Sequence, residues 1–347
     1  MIVNLKDQDL KRFEELLKIK DTNINISDML LTAFCYIDFL NIDEIKRSDN
    51  EHDAIIENLV RNFSDDKDSS LLSSHIRLSC LDQNEYLNDY SNKLLGLKAK
   101  YKNYHLETMR YEPYQLFAYS DIEVINELEI SKVGYFRNEF SYPAIFENDN
   151  LWMSLNPNEI NTMKPFLSKA NGSVLVLGLG LGYVPYMLSK KSDIKDITIV
   201  ENNHDNIVFF NKFIAPLFDN KKYKIIEEDA LKFIDKNNDY NYIFADLWFT
   251  PEDGVEYLLK LEKIEKSKNI KIYYWLEQSL RQMKRRYMIE LINESLKGFS
   301  NHNYVSKESV EDRVFRELYY QTKNKIISSF DEIKELLKWD QLKRFLW

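Results

Sequence analysis

Residues 173–188, SVLVLGLGLGYVPYML, decide how this chain is read. Four apolar residues, Val174, Leu175, Val176 and Leu177, run into Gly178, Gly180 and Gly182, and an apolar stripe at helical spacing follows. The segment therefore reads as a buried strand, a tight glycine turn and a helix. Three of the chain's eight glycines fall within these five turn positions. Glycine weakens regular structure unless the backbone needs positive φ or something must approach it closely, so a backbone-lined pocket is expected here. A plain strand-to-helix turn with no ligand is the competing reading.

The next strand adds weight to the pocket. Residues 196–200, DITIV, form a short apolar run that ends at Glu201, nineteen residues beyond Gly182. In a βαβ unit an acidic residue at the tip of the second strand faces the glycine turn, where it can accept hydrogen bonds from both hydroxyls of a ribose. A dinucleotide fingerprint would place its last glycine at Tyr183, which disfavours a nicotinamide-dependent dehydrogenase, and no P-loop lysine follows.

With residues 223–229 (YKIIEED) and 241–248 (NYIFADLW) following in order, the chain resembles the S-adenosylmethionine-dependent methyltransferases of the doubly wound class over residues 156–299. The resemblance implies an α/β fold with a Rossmann-like, mostly parallel sheet. It implies S-adenosylmethionine as cofactor, with Gly178, Gly180 and Gly182 letting the backbone approach the methionine part. Glu201 would hold the ribose with Asn202 beside it, Asp229 would contact the adenine amino group with Ala230 beside it, and Asp246 would lie next to the reacting centre.

Ahead of this region, a β-rich lobe, one more strand and a helix carrying Glu159 come in the order seen in spermidine synthases, the aminopropyltransferase branch of that superfamily. Glu159 falls where those enzymes have the acidic residue of a D-E-F segment. Two departures follow. The Tyr-His or Tyr-Gln pair that helps hold the polyamine is replaced by Thr162 and Met163, and the D-S-x-D-P segment becomes Asp246-Leu247-Trp248-Phe249-Thr250-Pro251, without its second aspartate.

Length and composition bound the rest. The chain has 347 residues and 44% hydrophobic content, enough for a sizeable core. A net charge of −9 disfavours a broad nucleic-acid surface, and the basic run 281–286 reads as a solvated helix face. No signal-like or membrane-spanning apolar segment is seen. Cys35 and Cys80, far apart, are expected to be buried free thiols in a reducing cytoplasm. The five histidines lack metal-ligand spacing, so no metal site is expected.

The pattern divides into a helical region (1–102), a small β-rich lobe (103–155), the Rossmann-like donor-binding domain (156–300) and a mostly helical extension (301–347). Within it Ser27 reads as an N-cap for a helix over 28–40, residues 85–101 as one helix, and 303–305 with 315–320 as a weak closing strand pair. Strands are expected over 105–111, 115–119, 132–136, 142–146 and 151–155, and a helix is expected to enter after Asn156 with Pro157 in its first turn.

The function expected first is methyl transfer from S-adenosylmethionine to a small-molecule acceptor by in-line displacement. Asp246 would either orient and deprotonate the acceptor or contact only the donor's amino group. Glu277, at the end of a fifth strand, reads as a second acid, a substrate anchor or simply a helix cap. Glu159 and Trp248 are candidates for the acceptor side, with core filling the other reading of Trp248. Aminopropyl transfer from decarboxylated S-adenosylmethionine is the alternative, and a non-catalytic nucleoside-binding scaffold is another. The aromatic lobe and the helical region offer surfaces for a homodimer. Glu201→Ala is expected to lose donor affinity and leave the fold intact.

Overall fold

In a computed structural model that describes residues 1–63, 69–220, 222–298 and 309–344, the strand ahead of the glycines is the centre of a five-stranded parallel sheet. Its strands are β1 (Gly172–Leu177), β2 (Ile194–Glu201), β3 (Tyr223–Glu227), β4 (Tyr242–Ala245) and β5 (Ile272–Tyr274). They lie in the order β3-β2-β1-β4-β5, every neighbouring pair parallel. This is a Rossmann-like α/β fold. Val174, Leu175, Val176 and Leu177 are all buried, as a central strand covered on both faces requires.

The order reverses at β1, whose neighbours are β2 on one side and β4 on the other. Leu177 is in register with Val200 of β2 and with Ala245 of β4. The residues that follow, Gly178, Glu201 and Asp246, therefore emerge at one level on the carboxyl edge. Ala245 is in turn level with Tyr274 of β5, so Trp275 joins the same row. In open parallel sheets this edge, at the strand-order reversal, is where ligands bind.

The chain divides into two compact units. One comprises Asn23–Asp246 with Ile272–Trp275 and contains this sheet. It also holds two smaller four-stranded sheets. In one, Ile76–Cys80 pairs parallel with Leu128–Tyr135, which also takes Phe117–Ala118 and Glu123–Ile125 as antiparallel neighbours. In the other, Lys100–Tyr101, Tyr104–Tyr111, Phe140–Glu147 and Asn150–Ser154 pair in that order, all antiparallel. Helices near the start of this unit bury Ile26, Leu30, Ile45, Ile55 and Leu59 with Val133 and Tyr135 of the first of these sheets.

The second unit comprises Met1–Thr22, Leu247–Lys271 and Leu276–Trp347. Helices Pro251–Lys268, Glu277–Leu296, Val310–Thr322 and Phe330–Leu336 enclose Val255, Leu259, Met288, Ile292, Val314 and Leu318. A two-residue parallel pair, Ile2–Val3 with Ile326–Ile327, closes it.

Several local expectations are corrected. Ser27 caps nothing: one helix runs Asp7–Cys35, because no glycine or proline interrupts its hydrogen-bond ladder. The expected helix over 85–101 is a 3-10 turn Gln83–Glu85, a short helix Asp89–Leu94 started by the Asn88 side chain, and the strand Lys100–Tyr101 beyond Gly96, which takes φ +80°. Ile76–Cys80, inside a stretch read as helical, is a strand. Residues 315–320 lie within helix Val310–Thr322, whose apolar positions at helical spacing bury Val314, Phe315 and Leu318; residues 303–305 fall outside those described. Cys35 and Cys80 are free, but exposed rather than buried. Among the described residues no helix is long and apolar enough to cross a membrane.

A fully buried ion pair marks the second unit: Lys284 Nζ donates to Glu262 Oε2 at 2.7 Å and to the Leu342 carbonyl at 2.8 Å. Removing one ion of such a pair strands the other charge, whereas replacing both by apolar groups does not. Lys284→Met should thus lower unfolding free energy by about 3–5 kcal/mol, and Lys284→Met with Glu262→Leu should recover most of it in urea titrations.

Candidate active site

The edge of the sheet is set by main-chain bonds. Gly178 N–H donates to Val200 O and Asp246 N–H to Leu177 O, each at 2.9 Å. The three glycines then differ in role. Gly178 (φ 97°) and Gly180 (φ 56°) keep part of their backbone accessible. A Cβ at Gly180 would meet only Met153 Sδ, at 3.4 Å. At Gly182 the space is filled by protein: a Cβ there would lie 2.5 Å from the Phe210 ring and 3.1 Å from the Tyr90 hydroxyl. The open main chain is therefore that of Gly178 and Gly180, while Gly182 permits close packing.

Tyr90 backs this turn from the far side. Fully buried, it donates its hydroxyl to the Leu181 carbonyl and packs against Tyr186, the rings tilted by 31° with centroids 4.4 Å apart. Its helix is pinned to the one following the glycines by Lys93, which donates to the Tyr186 hydroxyl at 2.9 Å and pairs with Asp89 at 3.1 Å. No sequence pattern pointed to residues 89–93, because their partners lie about a hundred positions away.

Glu201 reaches the glycine turn directly. Its Oε2 accepts from Leu179 N–H at 3.2 Å and from Asn206 Nδ2 at 3.3 Å, and its Oε1 accepts from Asn203 N–H at 2.8 Å. The carboxylate is thus both a strut for the turn and, through the longer bonds on Oε2, an acceptor that other hydroxyls can compete for. Asn202 is exposed beside it. Asn206, 1% exposed, is a positioning residue that sequence reasoning missed. Asp229 is the N-cap of helix Ala230–Lys236: its Oδ1 accepts from Lys232 N–H at 2.8 Å, its side chain is exposed, and Ala230 is buried behind it.

Asp246 lies near enough to Glu159 to act on it electrostatically. Helix Pro157–Lys169 forms as expected, with Pro157 in its first turn and Asn156 Oδ1 accepting from Glu159 N–H at 3.1 Å. Burial, then the neighbouring Glu201, pushes Asp246 from 3.8 up to about 7. Burial, then Asp246, raises Glu159 well above the ordinary glutamate value. Both residues keep part of their surface accessible, so neither is fully enclosed in the core. Beyond Glu159 the hydroxyls of Tyr111 and Tyr142 are hydrogen-bonded, and Tyr111 is raised by burial, by Tyr142 and by Glu159. Among the described residues no lysine or arginine pairs with Glu159, Glu201 or Asp246, and no group of three or more His, Cys, Asp or Glu is arranged to hold a metal ion.

The two remaining candidates belong to the other unit. Trp248 is 5% exposed and closes over Gly254, where a Cβ would come within 2.7 Å of the indole; of the two aromatic residues in that loop, Phe249 is the exposed one. Glu277 opens helix Glu277–Leu296 and accepts from Arg281, whose guanidinium lies 4.3 Å from the Trp339 ring centre.

No protein-family model matches the sequence, and no curated protein matches it. Among solved structures it is similar to a spermidine synthase from Thermotoga maritima, at 15% identity and a TM-score of 0.30, over 45% of this chain and 56% of that one. The chain thus spans about half the length of that enzyme.

Two outcomes test the site's wiring. Glu201→Ala leaves the Leu179 and Asn203 N–H groups without their acceptor, so it should destabilise the fold by about 1–3 kcal/mol in denaturant titrations, and Glu201→Gln by less. The sequence alone gave no hint of this strut. Between about pH 4 and about pH 7 the folded chain keeps a proton on Asp246 that the unfolded chain has released, so this group lowers stability as pH rises through that window. Asp246→Asn should therefore melt higher than wild type above about pH 7, and the two melting curves should converge below about pH 4.

Proposed function

We propose that this chain is a transferase that takes an S-adenosyl sulfonium donor at the carboxyl edge of the sheet and passes an alkyl group to a small-molecule acceptor, methyl transfer being the first reading. The observation that carries it is the pair Asp246 and Glu159, both raised by burial and, among the described residues, paired with no basic side chain, together with the accessible main chain of Gly178 and Gly180. Carboxylates enclosed in this way lack their counter-charge, and a bound cation would restore it. When bound, the sulfonium supplies an electrophilic carbon whose bond to sulfur breaks as the acceptor's lone pair arrives.

The chain's own part is to bind and align. Gly178 and Gly180 offer backbone to the methionine part, Oε2 of Glu201 accepts from the ribose, and the exposed carboxylate of Asp229, with only Oδ1 engaged in its cap bond, accepts from the adenine. Asp246, held near neutrality, is suited to take the proton an attacking amine or hydroxyl must lose. Alignment of the two reactants can supply roughly 7–11 kcal/mol of the barrier reduction in well-oriented systems.

Aminopropyl transfer from decarboxylated S-adenosylmethionine is the second reading, favoured by one feature. The intact donor would bring another carboxylate toward Glu159, Asp246 and Glu201, and the decarboxylated donor would not.

Calorimetric titration with S-adenosylmethionine, its decarboxylated form, methylthioadenosine and NAD tests both. The adenosyl ligands should bind and NAD should not; binding of NAD alone would sink the proposal. Asp246→Asn should weaken the two sulfonium ligands about tenfold or more while changing neutral methylthioadenosine far less, since only the charged ligands lose an ionic partner.

A further inference from the structure

The antiparallel sheet reaches the Glu201 loop through Tyr104, the first residue of its strand Tyr104–Tyr111. The Tyr104 hydroxyl donates its one proton to Glu147 Oε1 at 3.1 Å and accepts from Asn203 Nδ2 at 2.9 Å. With Nδ2 so engaged, the other end of that amide, Oδ1, is turned to the start of helix His204–Phe209 and accepts from Asn206 N–H at 3.1 Å. A flipped amide would set donor against donor there, so both ends enforce one orientation. Asn203 is thereby held fast where its main-chain N–H makes the shortest of the three bonds to the Glu201 carboxylate, 2.8 Å to Oε1. Tyr104 itself is 3% exposed and packs against the rings of Trp152 and Phe209, with centroids 4.8 Å and 6.5 Å away. The same sheet meets this edge twice more: Lys102 Nζ pairs with Asp205 Oδ1 at 2.7 Å, and Met153 Sδ is the atom nearest a Cβ at Gly180. Tyr104 is therefore one point of a seated sheet and not an isolated contact.

We infer that Tyr104 is a positioning residue that aims the Glu201 carboxylate through Asn203, and so sets the preference of the site for a ribose over a dideoxyribose. The inference rests on the reading of Glu201 as the ribose acceptor. A carboxylate selects a sugar diol only if its oxygens stay in one place, because a hydrogen bond weakens steeply as it bends or lengthens. The bonds to Oε2 from Leu179 and Asn206, at 3.2 and 3.3 Å, are long for an ionised acceptor. The short bond from Asn203 carries most of the restraint. Without the Tyr104 hydroxyl, Asn203 loses the partner of its Nδ2 and turns, and the carboxylate follows it.

The probes are methylthioadenosine and its 2′,3′-dideoxy analogue, titrated calorimetrically into the full chain. Wild type should bind the ribose ligand at least about tenfold more tightly than the dideoxy one. Tyr104→Phe, which keeps the ring, should cut that preference to about threefold or less by weakening the ribose ligand alone. In a Glu201→Gln background the same substitution should change the preference no further, as expected of groups acting in one chain. Should Tyr104→Phe fail to fold by circular dichroism, Asn203→Ser, which keeps a capping oxygen but cannot reach Tyr104, should lower the preference in the same way. In the empty protein Tyr104→Phe should also speed exchange of the Leu179 amide, which donates to Glu201, relative to that of Gly182, which donates to the Leu179 carbonyl. An unchanged preference overturns the inference, and so does equal weakening of both ligands, the mark of a merely structural role. Failure of wild type to bind either nucleoside overturns it together with the donor reading. Faster Leu179 exchange then places the fault in that reading, and unchanged exchange places it in the link through Tyr104.

Discussion

The last ladder bonds of β1 hold the site together. Because Gly178 N–H is tied to Val200 and Leu177 O to Asp246, the chain leaves three adjacent strands at one height, and the residues that emerge cannot avoid one another. A parallel sheet is rigid in this respect: a one-residue slip of β4 would turn Asp246 to the other face and take its carboxylate away from Glu201. The electrostatics of this edge is therefore a consequence of register before it is a matter of side-chain choice.

Register brings together groups that repel. Asp246 is raised by burial and by Glu201, and Glu159 by burial and by Asp246. An arrangement of this kind lowers the stability of the empty protein and is relieved by positive charge, so binding and folding are linked through the same carboxylates. The strut formed by Glu201 adds a second link. The group that would accept from a ribose already accepts from the glycine turn, so the loop and a bound ribose would draw on one pair of oxygens.

The parallel sheet was legible because its signals are local and redundant. The first four strands are short, mostly apolar runs that end at or run into a glycine or a carboxylate, and concentrated glycines announce the turn at β1. What escaped sequence reading depended on distant partners. Residues 28–35 of the helix expected over 28–40 are the end of one continuous rod that stops at Cys35, since a serine within a helix-forming stretch starts nothing unless the preceding turn is broken. Tyr90, Asn206 and Tyr111 carry no motif, and their roles exist only through Leu181, Glu201 and Glu159. Gly182 looked like its two neighbours, and only the ring of Phe210 separates it from them.

The hydrogen bond from Tyr90 to the Leu181 carbonyl bears on how such a chain can be cut or recombined. The glycine turn is usually thought of as portable, a strand and a helix that carry their own binding surface from one protein to another. Here its underside is finished by an aromatic residue contributed some ninety positions earlier, and that ring also occupies part of the space that Gly182 leaves empty. A fragment beginning just ahead of β1 would expose an unsatisfied carbonyl and a void beneath the loop. Descent of this strand–turn–helix module must then have carried residues 89–93 along with it, or have found another ring to take their place.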